Sequence, residues 1–414
     1  MIKLISWFRS SLNSTSLTWL SCLVLLLGMY VSRAFMSIGM MGLLLAAFLQ
    51  DGEKPLWKTI WRQPHTWLLM SYWIVMGVTF FWSKDHGFFL QRIQIILPFL
   101  ALPLAFFRMP TWEQKKIDVL FVMSILLNVV GEVWSLVMYL SDKSNYDAAY
   151  GVSHLIPTPF QDDHIRFSIA VVLSICLAFD LMIRYSHKFF RIALGMIILF
   201  DITYLHILSA KSGILCFYLV CLLLLIKLIR TPKFRKWGLG FGAVVILLPM
   251  VMYSISASLR IKIKYIIYSI ERIQNTTKEV NVSDEGRLIS YDYAMTSIRK
   301  HPVVGVGLGD VMNEMKVFYD RDFPGVQLKV LLPHNQFLMS GMAAGIGAII
   351  LLVAMMYFLW KRGARGDLLY SSYWAIMLFA MMIEPLFETQ YGTCMFLFFL
   401  LLLLHRQNNE EVLR

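Results

Sequence analysis

The chain has 414 residues, of which 58% are hydrophobic and 15% are charged, whereas soluble globular proteins contain about 45–50% apolar and about 25% charged residues. This composition excludes a soluble multidomain protein and indicates that lipid surrounds most of the chain. The net charge of +12 arises from basic residues scattered over loop ends, without the single basic patch typical of nucleic-acid binding. We therefore expect membrane lipids, and no nucleic acid, among its partners.

Apolar runs recur along nearly the whole chain, and they are long enough to cross a hydrocarbon core of about 30 Å as helices. They predict an all-α polytopic membrane protein with about twelve transmembrane helices. The predicted spans are 17–32, 34–50, 66–82, 93–107, 117–140, 167–183, 192–209, 212–227, 238–256, 335–360, 369–386 and 391–405. We divide the chain into helices 1–9 (1–256), one large loop (257–333), and helices 10–12 with a cytoplasmic C-terminal tail (334–414).

The orientation follows from the lysines and arginines of the short loops, because cytoplasmic loops are enriched in them. Alternate loops hold most of these residues: Arg108, Lys115, Lys116, Arg184, Lys188, Arg191, Lys227, Arg230, Lys233, Arg235, Lys236, Lys361, Arg362 and Arg365. This bias places both termini in the cytoplasm and loop 257–333 outside. In a bacterium the membrane would be the inner membrane and this outer side the periplasm.

The large loop 257–333 has the pattern of an ordered segment. In Arg260–Ile273, isoleucines recur at three- and four-residue spacing among basic residues, which predicts an interfacial helix or a basic extension of the preceding span. A second helix is expected from residue 283 or 284 to residue 300, since Pro302 follows it. The run Gly305–Gly309 lacks the strand that would complete a dinucleotide fold, and we interpret it as a hinge between loop helices.

Two residues of this region are candidates for chemistry. His334 lies at the outer mouth of a predicted span, where a neutral imidazole can accept a proton, although it could also be a polar residue at headgroup level. Arg287 lies near the start of the second loop helix, where exposed backbone N–H groups and a guanidinium suit a phosphate. The alternative for Arg287 is a surface salt bridge.

Two further basic residues are predicted to face the same side of the membrane. Lys211 lies in the tight turn Ser209–Gly213, where a charge either has an anionic partner or extends to the interface. Arg166 enters another span from the same side and is a candidate for a further phosphate contact.

Some residues of the chain could belong to a metal site or to a transport pathway. Carboxylate and imidazole side chains near Arg166 are potential metal ligands, but their spacing matches no established site, so a solvated loop is favoured: His154, Asp162, Asp163 and His164. The five cysteines all lie in predicted spans and indicate neither a disulfide nor a zinc site.

Asp201 and His206 lie within a span, where ionisable groups are costly, and would support a transporter. Inverted repeats, frequent in transporters, are not evident.

Three segments together resemble the O-antigen ligase family, which shares a domain with polysaccharide polymerases and bacterial O-oligosaccharyltransferases. They are Arg287–Gly309, the pair His334-Asn335 followed by Gly345-Ile346-Gly347, and the turn Ser209–Gly213. The resemblance implies about twelve spans with a large periplasmic loop. It also implies transfer of a glycan from an undecaprenyl-diphosphate-linked donor to an acceptor hydroxyl, with neither a metal nor another cofactor.

The same resemblance implies roles for the four candidate residues. His334 would be the general base, and Arg287, Lys211 and Arg166 would bind the donor diphosphate. The family usually has an arginine where this chain has Lys211, and lysine offers a point charge instead of a bidentate fork. The resemblance leaves three acceptors open. A lipid A core would make the protein a ligase and a growing glycan would make it a polymerase, while a protein acceptor is less favoured. A transporter or flippase of lipid-linked glycans is the alternative from another class.

Overall fold

The computed structural model describes residues 14–49, 64–110, 112–150, 156–159, 163–274, 283–325, 329–363 and 367–412. These residues are overwhelmingly helical, and no β-strand occurs among them. The helices are α1 Ser14–Val31, α2 Arg33–Leu49, α3 Pro64–Val78, α4 His86–Ile95, α5 Pro98–Phe107, α6 Gln114–Ser141, α7 Lys143–Tyr150, α8 His164–Arg184, α9 Lys188–Leu208, α10 Lys211–Arg230, α11 Arg235–Ile255, α12 Ala257–Gln274, α13 Ser283–Lys300, α14 Val311–Asp322, α15 Gln336–Ala344, α16 Ile346–Gly363, α17 Leu368–Ile383 and α18 Gln390–Val412.

Most of the predicted membrane spans coincide with helices of the structure. Within the described residues, eight helical segments are long and apolar enough to cross a bilayer, and Arg33–Leu49, His65–Phe81 and Leu368–Ile383 are shorter apolar helices. The apolar centre of α18 is buried from Cys394 to Leu404 and corresponds to the last predicted span. The prediction of an all-α polytopic membrane protein is therefore confirmed.

The chain divides into two compact units. The first comprises Met1–Leu120, Gly286–Arg365 and Met381–Arg414, and the second comprises Phe121–Glu285 and Gly366–Ala380. Segments distant in sequence thus build each unit.

The second unit is organised around α8, which is buried along most of its length and packs against α9 and α10. The contact with α10 is close, because a Cβ on Gly213 would lie only 2.4 Å from the Cβ of Ser168. Helix α12 packs against α7, α9 and α11. The predicted interfacial segment is therefore a helix, as the isoleucine spacing indicated.

The first unit is organised around α5, which packs against α2, α3 and α18. Aromatic side chains fill the space among α3, α5 and α18: the ring of Phe387 lies 5.6 Å from that of Tyr72, 4.8 Å from that of Phe99 and 5.1 Å from that of Phe396, measured between centroids. Buried aromatic pairs of this kind stabilise a core by about 0.5–1.5 kcal/mol each beyond their burial. The cluster anchors the residues just before α18.

The span predicted at 335–360 is broken in the structure. Helix α15 ends at Ala344, and α16 starts at Ile346. The intervening Gly345 has φ 78° and ψ −177°, a conformation that is essentially restricted to glycine. The Ile346 N–H donates to the carbonyl of Pro302 at 2.8 Å instead of continuing the helix.

The glycine run after α13 is attached to this break. The N–H groups of Val306 and Gly307 donate to the carbonyls of Met342 and Ala343 at 2.9 and 3.0 Å. These bonds satisfy carbonyl groups at the end of α15 that have no partner within the helix. Backbone hydrogen bonds to the end of α15 therefore hold one side of the glycine run in place.

The other side of the run is held by the residues after α3. The N–H of Leu308 donates to Thr79 Oγ1 at 3.1 Å, and that of Gly309 donates to Ser83 Oγ at 3.2 Å. The carboxylate of Asp310 accepts from the N–H of Lys84 at 2.7 Å and from that of Asp85 at 3.1 Å. The run connects α13 to α14 as expected, and hydrogen bonds tether both of its sides. The interpretation as a hinge stays a prediction.

Replacing Gly345 with alanine should destabilise the protein, whereas Gly347→Ala should not. A Cβ on Gly345 would lie 2.3 Å from the carbonyl oxygen of Val303, and one on Gly347 would meet no atom within 4 Å. A non-glycine residue in the Gly345 conformation costs about 1–3 kcal/mol before the clash is added. Thermal unfolding of both variants in detergent measures the difference. If Gly345→Ala melts at the same temperature as Gly347→Ala, the backbone conformation at position 345 does not require glycine.

Candidate active site

Three side chains of the first unit meet at the start of α15. Glu384 Oε2 lies 3.1 Å from His334 Nδ1, and Arg287 Nη2 donates to Glu384 Oε1 at 2.8 Å. The Glu384 side chain is only 4% exposed, whereas the His334 and Arg287 side chains are 21% and 27% exposed. A buried carboxylate thus joins two groups that are both accessible from outside. We call His334, Glu384 and Arg287 the triad.

Hydrogen bonds hold the segment that carries Glu384 against the start of α15. Asn335 caps α15 by accepting from the Leu338 N–H at 3.0 Å, and its Nδ2 donates to the Met382 carbonyl at 2.8 Å. Gln336 Oε1 accepts from the Phe387 N–H at 2.8 Å. The residues directly after His334 therefore fix the chain on both sides of Glu384.

The backbone of His334 is held by α13. The Tyr291 hydroxyl donates to the His334 carbonyl at 2.8 Å, and the His334 N–H donates to Ser290 Oγ at 3.4 Å. Burial raises the pKa of Tyr291 above its usual value, so the phenol keeps the proton that it donates. Because Arg287 lies on the same helix, α13 positions two members of the triad.

The triad favours one tautomer of the histidine. A carboxylate can only accept hydrogen bonds, so the proton of a neutral His334 ring belongs on Nδ1, toward Glu384. Nε2 then carries a lone pair, and no residue in the described part of the chain hydrogen-bonds to it. The arrangement can accept a proton at Nε2 and stabilise the resulting imidazolium through Glu384. The guanidinium of Arg287 beside it can attract an anion.

The other two predicted site residues lie in the second unit, at the first turns of neighbouring helices. Arg166 follows the start of α8 and pairs with Asp163 at 2.6 Å, while Lys211 is the first residue of α10. Ser209 precedes α10 in the left-handed conformation at φ 54°, which makes the predicted turn tight. The close contact of Gly213 with Ser168 brings these first turns together. Their proposed role as donor contacts remains a prediction.

The metal alternative gains no support from the described residues. Asp163 caps α8 and pairs with Arg166, while His154 and Asp162 lie outside the described residues. In the part of the chain that the structure describes, no group of three or more His, Cys, Asp or Glu side chains is arranged to hold a metal ion.

The residues that suggested a transporter are packed inside the second unit. His206 is buried, with Nδ1 2.8 Å from the Ile202 carbonyl oxygen and Nε2 3.1 Å from the Tyr218 hydroxyl. Asp201 is fully buried beside Glu132, which is equally buried. The histidine is satisfied locally, and Glu132 is an acidic neighbour that sequence reasoning missed.

Sequence reasoning also missed Glu384. This residue falls within the predicted span 369–386, and an acidic residue inside a span is rare and usually functional. That signal was present, but it did not indicate which residues Glu384 would contact. Because His334 and Glu384 are 50 positions apart in the sequence, no local pattern indicates their contact.

The fold and the triad define a multi-pass membrane protein with a histidine, a buried carboxylate and an arginine where α15 begins. Residues 194–353 match the family model of the O-antigen ligase. This match supports the assignment to the O-antigen ligase family, so the resemblance drawn from sequence patches is confirmed. The family indicates membrane glycosyltransferase activity of the ligase or polymerase type. No curated protein matches the chain significantly. The matched segment contains Lys211, Arg287 and His334, but it ends before Glu384.

Proposed function

We propose that the protein transfers a glycan from undecaprenyl diphosphate to an acceptor hydroxyl at the periplasmic face of the bacterial inner membrane. The observation that carries this proposal is the bridge from His334 through Glu384 to Arg287. It provides a proton acceptor and a phosphate-binding group in one place. The O-antigen ligase match of residues 194–353 supports the same class of reaction.

The proposed step is a single displacement. His334 Nε2 removes the proton of the acceptor hydroxyl as the oxygen attacks the anomeric carbon of the donor glycan. The bond from that carbon to the phosphate oxygen breaks, and undecaprenyl diphosphate leaves with the electron pair. Glu384 stabilises the imidazolium, and Arg287 compensates the charge that develops on the leaving diphosphate. Every role in this step belongs to a residue of the chain.

Lys211 and Arg166 are proposed as additional donor contacts. Each lies in the first turn of a helix, where backbone N–H groups and the helix dipole favour an anion. Arg166 is already paired with Asp163. Lys211 would supply a point charge to the donor, since a lysine offers no bidentate contact.

The acceptor is proposed to be a sugar hydroxyl, either on a lipid A core or on another lipid-linked glycan. The first acceptor makes the protein a ligase and the second makes it a polymerase, and both need the same proton transfer. A protein acceptor is the less favoured proposal.

Reconstitution of the purified protein in vesicles with a labelled undecaprenyl-diphosphate glycan tests the proposal. We expect a glycosylated acceptor and free undecaprenyl diphosphate in equal amounts. Parallel reactions with lipid A core, with unlabelled lipid-linked glycan and with an acceptor protein identify the acceptor. Movement of intact donor across the vesicle membrane, with its glycan bond unbroken, would instead establish a flippase.

A further inference from the structure

A second arginine–glutamate pair lies in the first unit. Arg92 on α4 has Nη1 at 2.7 Å from Glu388 Oε2 and also donates to the Glu388 carbonyl at 3.2 Å. The guanidinium lies over the ring of Phe88, 4.5 Å from its centroid. The Nε of Arg92 has no hydrogen-bond partner among the described residues. The Arg92 side chain remains 18% exposed, so the pair is accessible.

This pair shares its supporting segment with the triad. Glu388 follows Glu384 by four residues and ends the 3₁₀ turn Leu386–Glu388. The N–H groups of Leu386 and Glu388 donate to the carbonyls of Glu384 and Pro385 at 2.9 and 3.1 Å, so the segment that carries both carboxylates is tightly turned. The Phe387 N–H within this turn donates to Gln336, two residues after His334. Arg92 and Arg287 are therefore tied to carboxylates on one short, fixed piece of chain.

The predicted topology places Arg92 on the same side as the triad. It ends the connection 83–92 between the third and fourth predicted spans, which lies outside when the N-terminus is cytoplasmic. An arginine at an outer membrane edge is well suited to a phosphate, since its planar fork can form two hydrogen bonds to phosphate oxygens.

We propose that Arg92 is a second cationic contact for the diphosphate of the lipid-linked donor, and that Glu388 holds Arg92 while the donor is absent. The inference rests on the proposed function. A diphosphate presents two phosphate groups, and in the first unit Arg287 supplies one guanidinium and Arg92 supplies another. A donor that reaches Arg92 exchanges the Glu388 contact for a phosphate contact, so Glu388 competes with the donor for the same guanidinium.

Two substitutions of opposite expected sign separate this role from a structural ion pair. Arg92→Gln should weaken binding of undecaprenyl diphosphate by about 10-fold or more, as expected for the loss of a charge-assisted hydrogen bond. Glu388→Gln removes the competing carboxylate and should strengthen binding several-fold. A purely structural pair predicts that both variants melt earlier and that neither changes the affinity.

Binding of undecaprenyl diphosphate and of undecaprenyl phosphate to the full-length protein in detergent is the measurement. Arg92→Gln should reduce the preference for the diphosphate, because it removes a contact to the second phosphate. Arg184→Gln is the matched control, since Arg184 pairs with Asp180 at 2.8 Å at a predicted cytoplasmic end. Its affinities should equal those of the wild type.

The possible failures differ from one another. A wild-type protein that binds the diphosphate and transfers glycan, with unchanged affinities in Arg92→Gln, overturns the role of Arg92 alone. Weakened binding in both Arg92→Gln and Glu388→Gln also overturns it, because the carboxylate then supports the site instead of competing. A wild-type protein that neither binds the diphosphate nor transfers glycan overturns the proposed function as well.

Discussion

His334→Ala should lower the rate of glycan transfer by about 10²–10⁴-fold, which is the usual contribution of a general base. Binding of the lipid-linked donor should change little, because the groups proposed to bind its phosphates remain. The measurement is the single-turnover rate of the reconstituted protein at saturating donor, together with the donor affinity. In cells lacking the wild-type protein, the same variant should accumulate donor and lose product.

His301→Ala is the matched control for this experiment. His301 lies in the same unit and is exposed after the end of α13. Among the described residues it makes backbone hydrogen bonds, from its N–H to the Ser297 carbonyl and from the Gly305 N–H to its own carbonyl. Both variants should reach wild-type levels in the membrane. If His334→Ala transfers glycan at the wild-type rate, His334 is not the base and the mechanism has to be replaced.

The architecture could be predicted from the sequence because bilayer thickness restricts the choices. A span needs about 20 apolar residues, and such runs are visible without knowledge of their partners. The helix Ser283–Lys300 was predictable for a local reason, since a proline follows it at Pro302. The break at Gly345 was not predictable in this way. It depends on the approach of the Val303 carbonyl to Gly345 from a separate part of the chain.

The site was predictable only in part, for a related reason. His334 and Arg287 were recognised through motif and position, each as a single residue. Their connection needs Glu384, and that contact depends on tertiary packing that brings the end of α17 to the start of α15. Arg92 and Glu388 were missed for the same reason, because only the fold pairs them. Sequence patterns indicate the chemistry of single residues, but not which carboxylate meets which base.

Glu384→Gln should reduce transfer nearly as much as His334→Ala, although it preserves the size of the side chain. Glu384 offers two acceptor oxygens, one to Arg287 and one to His334. Glutamine keeps a single acceptor oxygen and gains an NH₂ group that can only donate. If the oxygen stays with Arg287, the NH₂ group faces His334 Nδ1 and drives the ring proton to Nε2. His334 Nε2, which should take the proton from the acceptor hydroxyl, then already carries a proton.

The opposite orientation of the glutamine is also unfavourable. Its NH₂ group would face the Arg287 guanidinium, and two donors would meet in a buried position. An unsatisfied buried donor costs about 1–3 kcal/mol. The first orientation therefore predominates, and we expect a loss of transfer of about 10²-fold or more. Glu384→Asp is the matched control, because both acceptor oxygens remain on a side chain shorter by one methylene. Its activity should lie between those of the wild type and Glu384→Gln.

A double variant then distinguishes the two contacts of Glu384. Without Arg287 the glutamine of Glu384→Gln could turn its oxygen to His334, so the double variant uses Glu384→Leu, which offers His334 no acceptor in any orientation. If the carboxylate acts on the histidine tautomer, Glu384→Leu should still lower transfer when Arg287 has already been replaced with glutamine. If the carboxylate only positions Arg287, the second substitution should add nothing to the loss caused by Arg287→Gln. Single-turnover rates of the four proteins at saturating donor measure this coupling. If the Glu384 substitution still lowers the single-turnover rate in the Arg287→Gln background, Glu384 acts in the proton transfer. If it has no further effect there, Glu384 acts only by orienting Arg287.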